Sequence, residues 1–408
     1  MADFATLDNL DVSGKRVLVR ADLNVPMKGG AVTDITRIAR LVPTLTELAG
    51  KGARVIVASH FGRPRGKAVS EMSLRPLAGP LSKALGDAAV VFATDCVGEE
   101  AKKTVDGLEP GGFVLLENVR FHAGEEANDP GFAAALAANA DLYVNDAFSC
   151  AHRTHASTHA VVELLPAAAG RLMEAELAAL AGALENPQHP AAAIVGGAKI
   201  STKLNLLGNL CRRLDLLAIG GAMANTFLHA QGVDVGNSLC EHDMAEAARA
   251  VLGQAQEASC EIMLPVDAVV ARELASGVIT RIVAIGEIPK EAMILDVGPQ
   301  STADLVGHLE TCKSVVWNGP LGAFETPPFD AGTNAVAEAA ARLTREGKLI
   351  SVAGGGDTVA ALAHAGVIND LIYVSTAGGA FLEFIEGKDL PGIIALKTAT
   401  KIPLPQGE

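Results

Sequence analysis

Aromatic side chains are scarce in this chain: Phe, Trp and Tyr make up 4% of 408 residues, with one Trp and two Tyr. That argues against an aromatic-rich binding module or a β-sandwich, whose cores and faces lean on such residues. No CxxC pair occurs among the six cysteines (Cys96, Cys150, Cys211, Cys240, Cys260 and Cys312), which lie far apart, so no small disulfide scaffold is indicated. The expectation is six reduced thiols in a cytoplasmic protein. Two common nucleotide signatures are also missing. No GxxxxGK[ST] excludes a P-loop, and no GxGxxG after the first apolar run weighs against a dinucleotide site. There is no serine nucleophile elbow and no metal-spaced histidine cluster. The longest stretch free of charge, 216–233, contains Gly220, Gly221, Asn225, His229 and Gln231, so it reads as a strand turning into a helix and not as a membrane span. The first apolar run, 17–19, is bracketed by Arg16 and Arg20, which does not suit a secretory signal.

What remains is 49% hydrophobic and 20% charged, rich in Gly, Ala, Val and Leu. Short apolar runs alternate with helical patterns at spacings that leave room for crossover helices, which predicts mainly parallel sheets. The length predicts two domains. The segment MEAELAALAGAL, 173–184, reads as one helix, closed by Asn186-Pro187 and Pro190. The expectation is therefore an α/β protein of two Rossmann-like three-layer domains, 1–172 and 191–392, joined by a hinge helix over 173–190. The net charge of −14 repels nucleic acid and anionic membrane at long range, so any anionic ligand needs a local basic patch.

In open α/β sheets, ligands bind beyond the carboxyl ends of the strands. In the first half those ends are polar. Arg20, Asp22 and Asn24 follow the first run; Ser59, His60 and Arg63 follow the second; Glu117, Asn118 and Arg120 follow a third; and Asn145, Asp146, His152, Arg153 and His155 follow a fourth. One such arginine would be an ordinary ion pair. Four of them suggest an anion site, because guanidinium grips carboxylate and phosphate oxygens with two fixed donors. Arg37 is a further candidate whose direction the sequence does not show.

The second half ends its strands in glycine instead: Gly196-Gly197, Gly220-Gly221, Asn318-Gly319-Pro320, Gly354-Gly355-Gly356 and Gly378-Gly379. Glycine lets backbone N–H groups approach a ligand, and the helix N-terminus that follows favours phosphate. Lys199 and Lys203 would share a face if a helix begins at Gly197, where like charges favour a nearby anion. Asp357, beside Thr358, is either a helix N-cap or a ligand for Mg²⁺. Glu325 is a candidate partner for ribose hydroxyls.

Taken in order, RADLNVP (20–26), TRI (36–38), SHFGRP (59–64), LLENVRF (115–121), NDAF (145–148), AHRTHAS (151–157), IVGGAKISTKL (194–204), GGAMANTF (220–227), WNGPLGAFE (317–325), AGGGDT (353–358) and STAGGAFLE (375–383) resemble the phosphoglycerate kinase family. The resemblance covers essentially the whole chain. It implies reversible phosphoryl transfer between 1,3-bisphosphoglycerate and ADP, giving 3-phosphoglycerate and ATP, with Mg²⁺. It implies that Asp22, Leu23, Asn24, Arg37, His60, Phe61, Gly62, Arg63, Arg120 and Arg153 bind the acid. By the same motifs Gly197, Lys199, Lys203, Gly220, Asn318, Pro320, Glu325, Gly355, Gly356, Asp357 and Thr358 would bind the nucleotide, with Asp357 at the metal. Arg37, Lys199 and the amides of Gly378 and Gly379 would stabilise the phosphoryl group in transfer. The resemblance further implies a monomer, closure about a hinge, and a C-terminal tail (393–408) that packs on the first domain. Small departures are Cys150, where the family often has a small or hydroxylated residue, Ala377 in place of a usual glycine, and an unusual tail after Leu396. A dehydrogenase on a similar frame is disfavoured by the missing GxGxxG, and a catalytically silent scaffold by the intact Arg37, Lys199 and Asp357.

Overall fold

The computed structural model describes residues 4–399. The chain divides at Glu176/Leu177 and again at Lys388/Asp389 into two compact units.

In the first unit, strands β1 (Arg16–Arg20), β4 (Arg54–Ala58), β5 (Val90–Phe92), β6 (Phe113–Leu115), β7 (Leu142–Asn145) and β8 (Ala167–Ala169) form one parallel sheet in the order β5-β6-β4-β1-β7-β8. A short antiparallel pair, β2 (Met27–Lys28) and β3 (Ala31–Val32), stands apart from it. Val17, Val19, Val55, Val57 and Leu115 are fully buried on the sheet. The helix Thr36–Gly50 meets that core with Ile38, Leu41, Leu45 and Leu48, the three-and-four spacing of one helical face. Each such side chain contributes about 1.5–3 kcal/mol of burial. The last described helix, Pro391–Thr398, belongs to this unit, and the Gly392 N–H donates to the Ala151 carbonyl at 2.8 Å. Of the expected tail, 400–408 lies outside the described residues.

The second unit is built around β9 (Ala191–Val195), β10 (Leu216–Ile219), β11 (Glu261–Met263), β15 (Ser314–Asn318), β16 (Ile350–Gly354) and β17 (Tyr373–Ser375), parallel throughout in the order β11-β10-β9-β15-β16-β17. β9 is buried along its whole length, as a central strand covered on both faces must be. Beside this sheet, β12 (Asp267–Ala271), β13 (Arg281–Ala284) and β14 (Met293–Val297) form a separate antiparallel sheet, ordered β13-β12-β14. The run at 293–296 therefore does not join the parallel series that the alternation suggests. It pairs with β12, and the outer strand β13 is mostly exposed, so the β13 pattern carries little signal. The helix expected over 173–184 runs from Arg171 to Leu180 and continues as a π turn, Ala181–Glu185.

Candidate active site

Because each main sheet is parallel, all its strands deliver their carboxyl ends to one edge. In the first unit this gathers the polar segments. The Asp22 carboxylate accepts from Ser149 Oγ at 2.5 Å and pairs with Arg37 Nη1 at 3.0 Å. Arg37 Nη1 also donates to the Asn24 carbonyl at 2.7 Å. The second residue of the Thr36–Gly50 helix is thus drawn to the edge, a direction the sequence leaves open. Asn24 Oδ1 accepts from the Gly62 N–H at 3.0 Å, and the Gly62 carbonyl accepts from Arg120 Nη1 at 2.8 Å. Arg120 Nε lies 3.2 Å from Glu126 Oε1 as an ion pair. Arg153 Nε donates to His152 Nε2 at 3.3 Å, while its Nη1 is buried without a hydrogen-bond partner among the described residues.

These cations repel one another. Burial, and then the Arg153 charge, pull the Arg120 guanidinium below its ordinary range. Burial first, then Arg20, Arg120, Arg153 and Arg37, hold the His60 imidazole well below its ordinary value. His155 is driven down to about 4 by burial and by Arg120, Arg20 and Arg153. Such a positive field is what an anion relieves.

Not every candidate faces the edge in the same way. The Leu23 side chain is fully buried in the core, so only its backbone is available, and the Leu23 N–H is already held by Ser59 Oγ at 2.8 Å. Phe61 packs on the core with its backbone held by Asn118. Arg63 is exposed. Arg20, one of the four arginine ends, is 1% exposed and turned inward.

The glycine ends of the second unit gather at one edge as well. A Cβ on Gly196 would collide with the Pro320 carbonyl, so glycine is required for the two loops to meet. Gly355 has φ +99°, and a Cβ there would lie 2.6 Å from Asn318 Nδ2. Asn318 Nδ2 donates to the Gly354 carbonyl at 2.8 Å, and Thr358 Oγ1 accepts from the Gly319 N–H at 2.7 Å. Asn318 and Thr358 are both buried and act as ties between the β15 and β16 loops. Lys203 is a third tie: Nζ donates to the Gly196 carbonyl at 2.7 Å, to Asn318 Oδ1 at 2.7 Å and to the Asn318 carbonyl at 3.2 Å. Burial lowers its pKa to about 8, against the raising effect of Asp357.

Lys199 and Lys203 do not share a helical face. A 3-10 turn, Ile200–Thr202, follows Lys199, and the α-helix begins only at Leu204. Ser201 is held there by Glu241, its Oγ donating to Oε1 at 2.6 Å. Lys199 is exposed. Gly378 and the exposed Gly379 open the helix Gly379–Ile385 beyond β17.

Beside these loops lies a cleft of about 490 Å³, a volume suited to a small ligand. Gly197, Pro320, Glu325 and Asp357 line it. Gly220 does not: its N–H donates to the Val195 carbonyl at 3.0 Å, and Gly221 and Ala222 reach the cleft instead. Asp357 is exposed in the first turn of the helix Gly356–His364, whose N-cap is Gly355, so its carboxylate is not the cap. The apolar wall comes from Leu228, Leu239, Leu274, Met293 and Phe324, of which only Phe324 falls within a quoted motif, WNGPLGAFE. Leu239 and Leu274 are 58% and 52% exposed, yet exposed apolar residues far apart in sequence give no local signal.

A guanidinium cluster on one parallel edge and a glycine-lined cleft on another are the parts a phosphotransferase uses to disperse phosphoryl charge. The comparisons with known proteins give the family. A profile described as phosphoglycerate kinase matches residues 7–388. The chain is 61% identical over 398 residues to a phosphoglycerate kinase of Methylorubrum extorquens, covering 97% of this chain and 99% of the relative. A phosphoglycerate kinase of Chelativorans sp. is 60% identical over 398 residues, 97% of this chain and all of the relative. Among solved structures, the phosphoglycerate kinase of Coxiella burnetii superposes with a TM-score of 0.90 at 43% identity, covering 98% of this chain and 100% of that one. That of Pyrococcus horikoshii gives 0.81 at 30% identity, over 97% and 99%. The chain belongs to the phosphoglycerate kinase family, and the likeness over its full length supports catalysis and not a silent scaffold.

Proposed function

We propose that the arginine edge of the first unit binds 3-phosphoglycerate or 1,3-bisphosphoglycerate, that the cleft of the second binds ADP or ATP with Mg²⁺, and that the protein moves a phosphoryl group between them. The observation that carries this reading is the group of cations around His60, where burial first and then Arg20, Arg120, Arg153 and Arg37 depress its basicity, and Arg153 Nη1 has no hydrogen-bond partner among the described residues. The second unit supplies the complementary half: glycine-opened loops, Lys199, and the exposed carboxylates of Asp357 and Glu325 beside an apolar wall. An exposed carboxylate fits Mg²⁺, a hard cation that keeps few protein ligands and several phosphate oxygens. When bound, the ion neutralises phosphate charge.

Exchange of one phosphate oxygen for another needs little proton transfer. Positioning and charge dispersal therefore dominate. Arg37, anchored by Asp22 and Asn24, orients the acid and, with Lys199 and the amides at Gly378 and Gly379, stabilises the charge in transfer. Direct transfer requires both substrates to meet with water excluded, so domain closure accompanies binding. Small-angle scattering should show compaction when both are present; none would count against closure. Six free thiols support a cytoplasmic setting, and among the described residues no helix is long and apolar enough to cross a membrane. The family resemblance supports a monomer.

The direct test is ATP formation from ADP and 1,3-bisphosphoglycerate, with and without Mg²⁺. Activity that requires both substrates and the ion is expected. Its absence in folded protein would overturn the reading.

A further inference from the structure

Arg20 ends β1 at the arginine edge, yet its side chain is enclosed. Nε donates to Ser157 Oγ at 2.7 Å, and Nη1 donates to the Ala21 carbonyl. Ser157 Oγ in turn donates to Glu125 Oε1 at 2.6 Å, and the Ser157 N–H donates to Glu125 Oε2 at 2.9 Å. Glu125 is fully buried. A carboxylate, a hydroxyl and a guanidinium thus form one chain inside the first unit, with the two charges compensating each other across the serine. The chain ends at His60, whose Nδ1 lies 3.3 Å from Arg20 Nη2.

A guanidinium only donates, and it stays protonated in proteins. The ring nitrogen facing it must therefore be the acceptor. Among the described residues, both polar contacts of the His60 ring, Arg20 Nη2 and Cys150 Sγ at 3.8 Å, are made through Nδ1. We infer that Arg20 is a positioning residue which, held by Ser157 and Glu125, fixes His60 as the neutral tautomer with its proton on Nε2, ready to donate to an oxygen of the acid. An imidazole with the opposite tautomer would present a lone pair to an anion and repel it. Specificity for the acid then depends on a residue that never touches it. The inference rests on the reading of His60 as an acid-binding residue, although the tautomer itself is a property of the free protein.

The decisive measurement is a long-range ¹H–¹⁵N spectrum of the ligand-free enzyme at neutral pH, with His60 assigned by its loss in H60Q. The Nε2-protonated pattern is expected. An Nδ1-protonated ring or an imidazolium would overturn the inference. In R20K, which keeps the charge but loses the fork, the His60 signal should shift toward a mixture of tautomers. The KM for 3-phosphoglycerate should rise about tenfold with that for ATP unchanged, tenfold being 1.4 kcal/mol. An unchanged tautomer in folded R20K, or an equal rise in both KM values, would also overturn it. If the tautomer is as stated but H60Q leaves the acid KM unaltered, the placing of the acid fails and the tautomer assignment stands.

Discussion

The Lys203 ammonium sits 2.7 Å from Asn318 Oδ1, so a cation at the start of one helix is tied to the end of a strand 115 residues away. With its second bond to the Gly196 carbonyl, this contact joins the ends of β9 and β15 next to the Gly197 and Pro320 that line the cleft. The lysine is mostly enclosed, which is why its pKa falls to about 8.

That shift has a definite sign. The unfolded chain holds the lysine proton up to its ordinary value near 10.5, whereas the folded protein releases it near 8. Between those limits the unfolded state binds more protons, so this group makes stability rise with pH, and its cost is fully present below about 8. Urea unfolding of the wild type and K203M from pH 7 to 10 should show that rise in the wild type alone. Nucleotide phosphate near Lys203 should also restore its proton. Calorimetry in two buffers of different ionisation enthalpy at pH 8.5 is then expected to show proton uptake on ADP binding, and none would contradict that placement.

Arg37→Ala and Lys199→Ala should each lower kcat by roughly 10²–10³, with smaller changes in KM, because both are assigned to charge that develops in transfer. Steady-state kinetics in both directions test this. Loss confined to KM would reduce the residue to a simple binding contact.

Gly355→Ala places a methyl where φ is +99° and Asn318 Nδ2 is 2.6 Å away. Strain and collision together should cost about 1–3 kcal/mol. Thermal unfolding should register the loss, and nucleotide affinity should fall with it. An unchanged midpoint would show that the Asn318 amide can move without penalty.

Arg171 binds three carboxylates at once: Asp8 at 2.6 Å, Glu47 at 2.8 Å and Glu174 at 2.8 Å. Its hydrogen bonds, with those of Lys51, hold the Glu47 carboxyl down to about 2. A depressed carboxylate contributes stability that is present above its ordinary value near 4.5 and lost as pH falls toward 2. Arg171 and Glu47 keep 26% and 27% of their side-chain surface in solvent, so screening limits the pair to about 1 kcal/mol. Denaturation of E47Q should show a shallower acid loss between pH 5 and 2 than the wild type, and identical slopes would remove Glu47 from the acid response.

Much of the fold was legible because parallel strands buried on both faces leave dense apolar runs, such as 17–19, 55–58 and 315–317. β8 was not, since three alanines carry no strand preference; it pairs with β7 and forms a bridge from Ala169 to Thr6. The antiparallel sheet of β12, β13 and β14 escaped for the opposite reason. β14 reads as one more strand of the series, and only its hydrogen bonds place it elsewhere.

The contrast between arginine ends and glycine ends is determined by the sequence itself, because order along a parallel strand puts every carboxyl end on one edge. Which of those residues faces a ligand was decided by tertiary structure. Arg20 and Arg153 look alike as letters, yet Ser157 and Glu125 draw Arg20 into the core, while Arg153 keeps a buried nitrogen without a hydrogen-bond partner among the described residues. Likewise, a spacing of four between Lys199 and Lys203 implied a shared helical face. The 3-10 turn between them sends one to the surface and the other inward, where the carbonyls of Gly196 and Asn318 needed a donor.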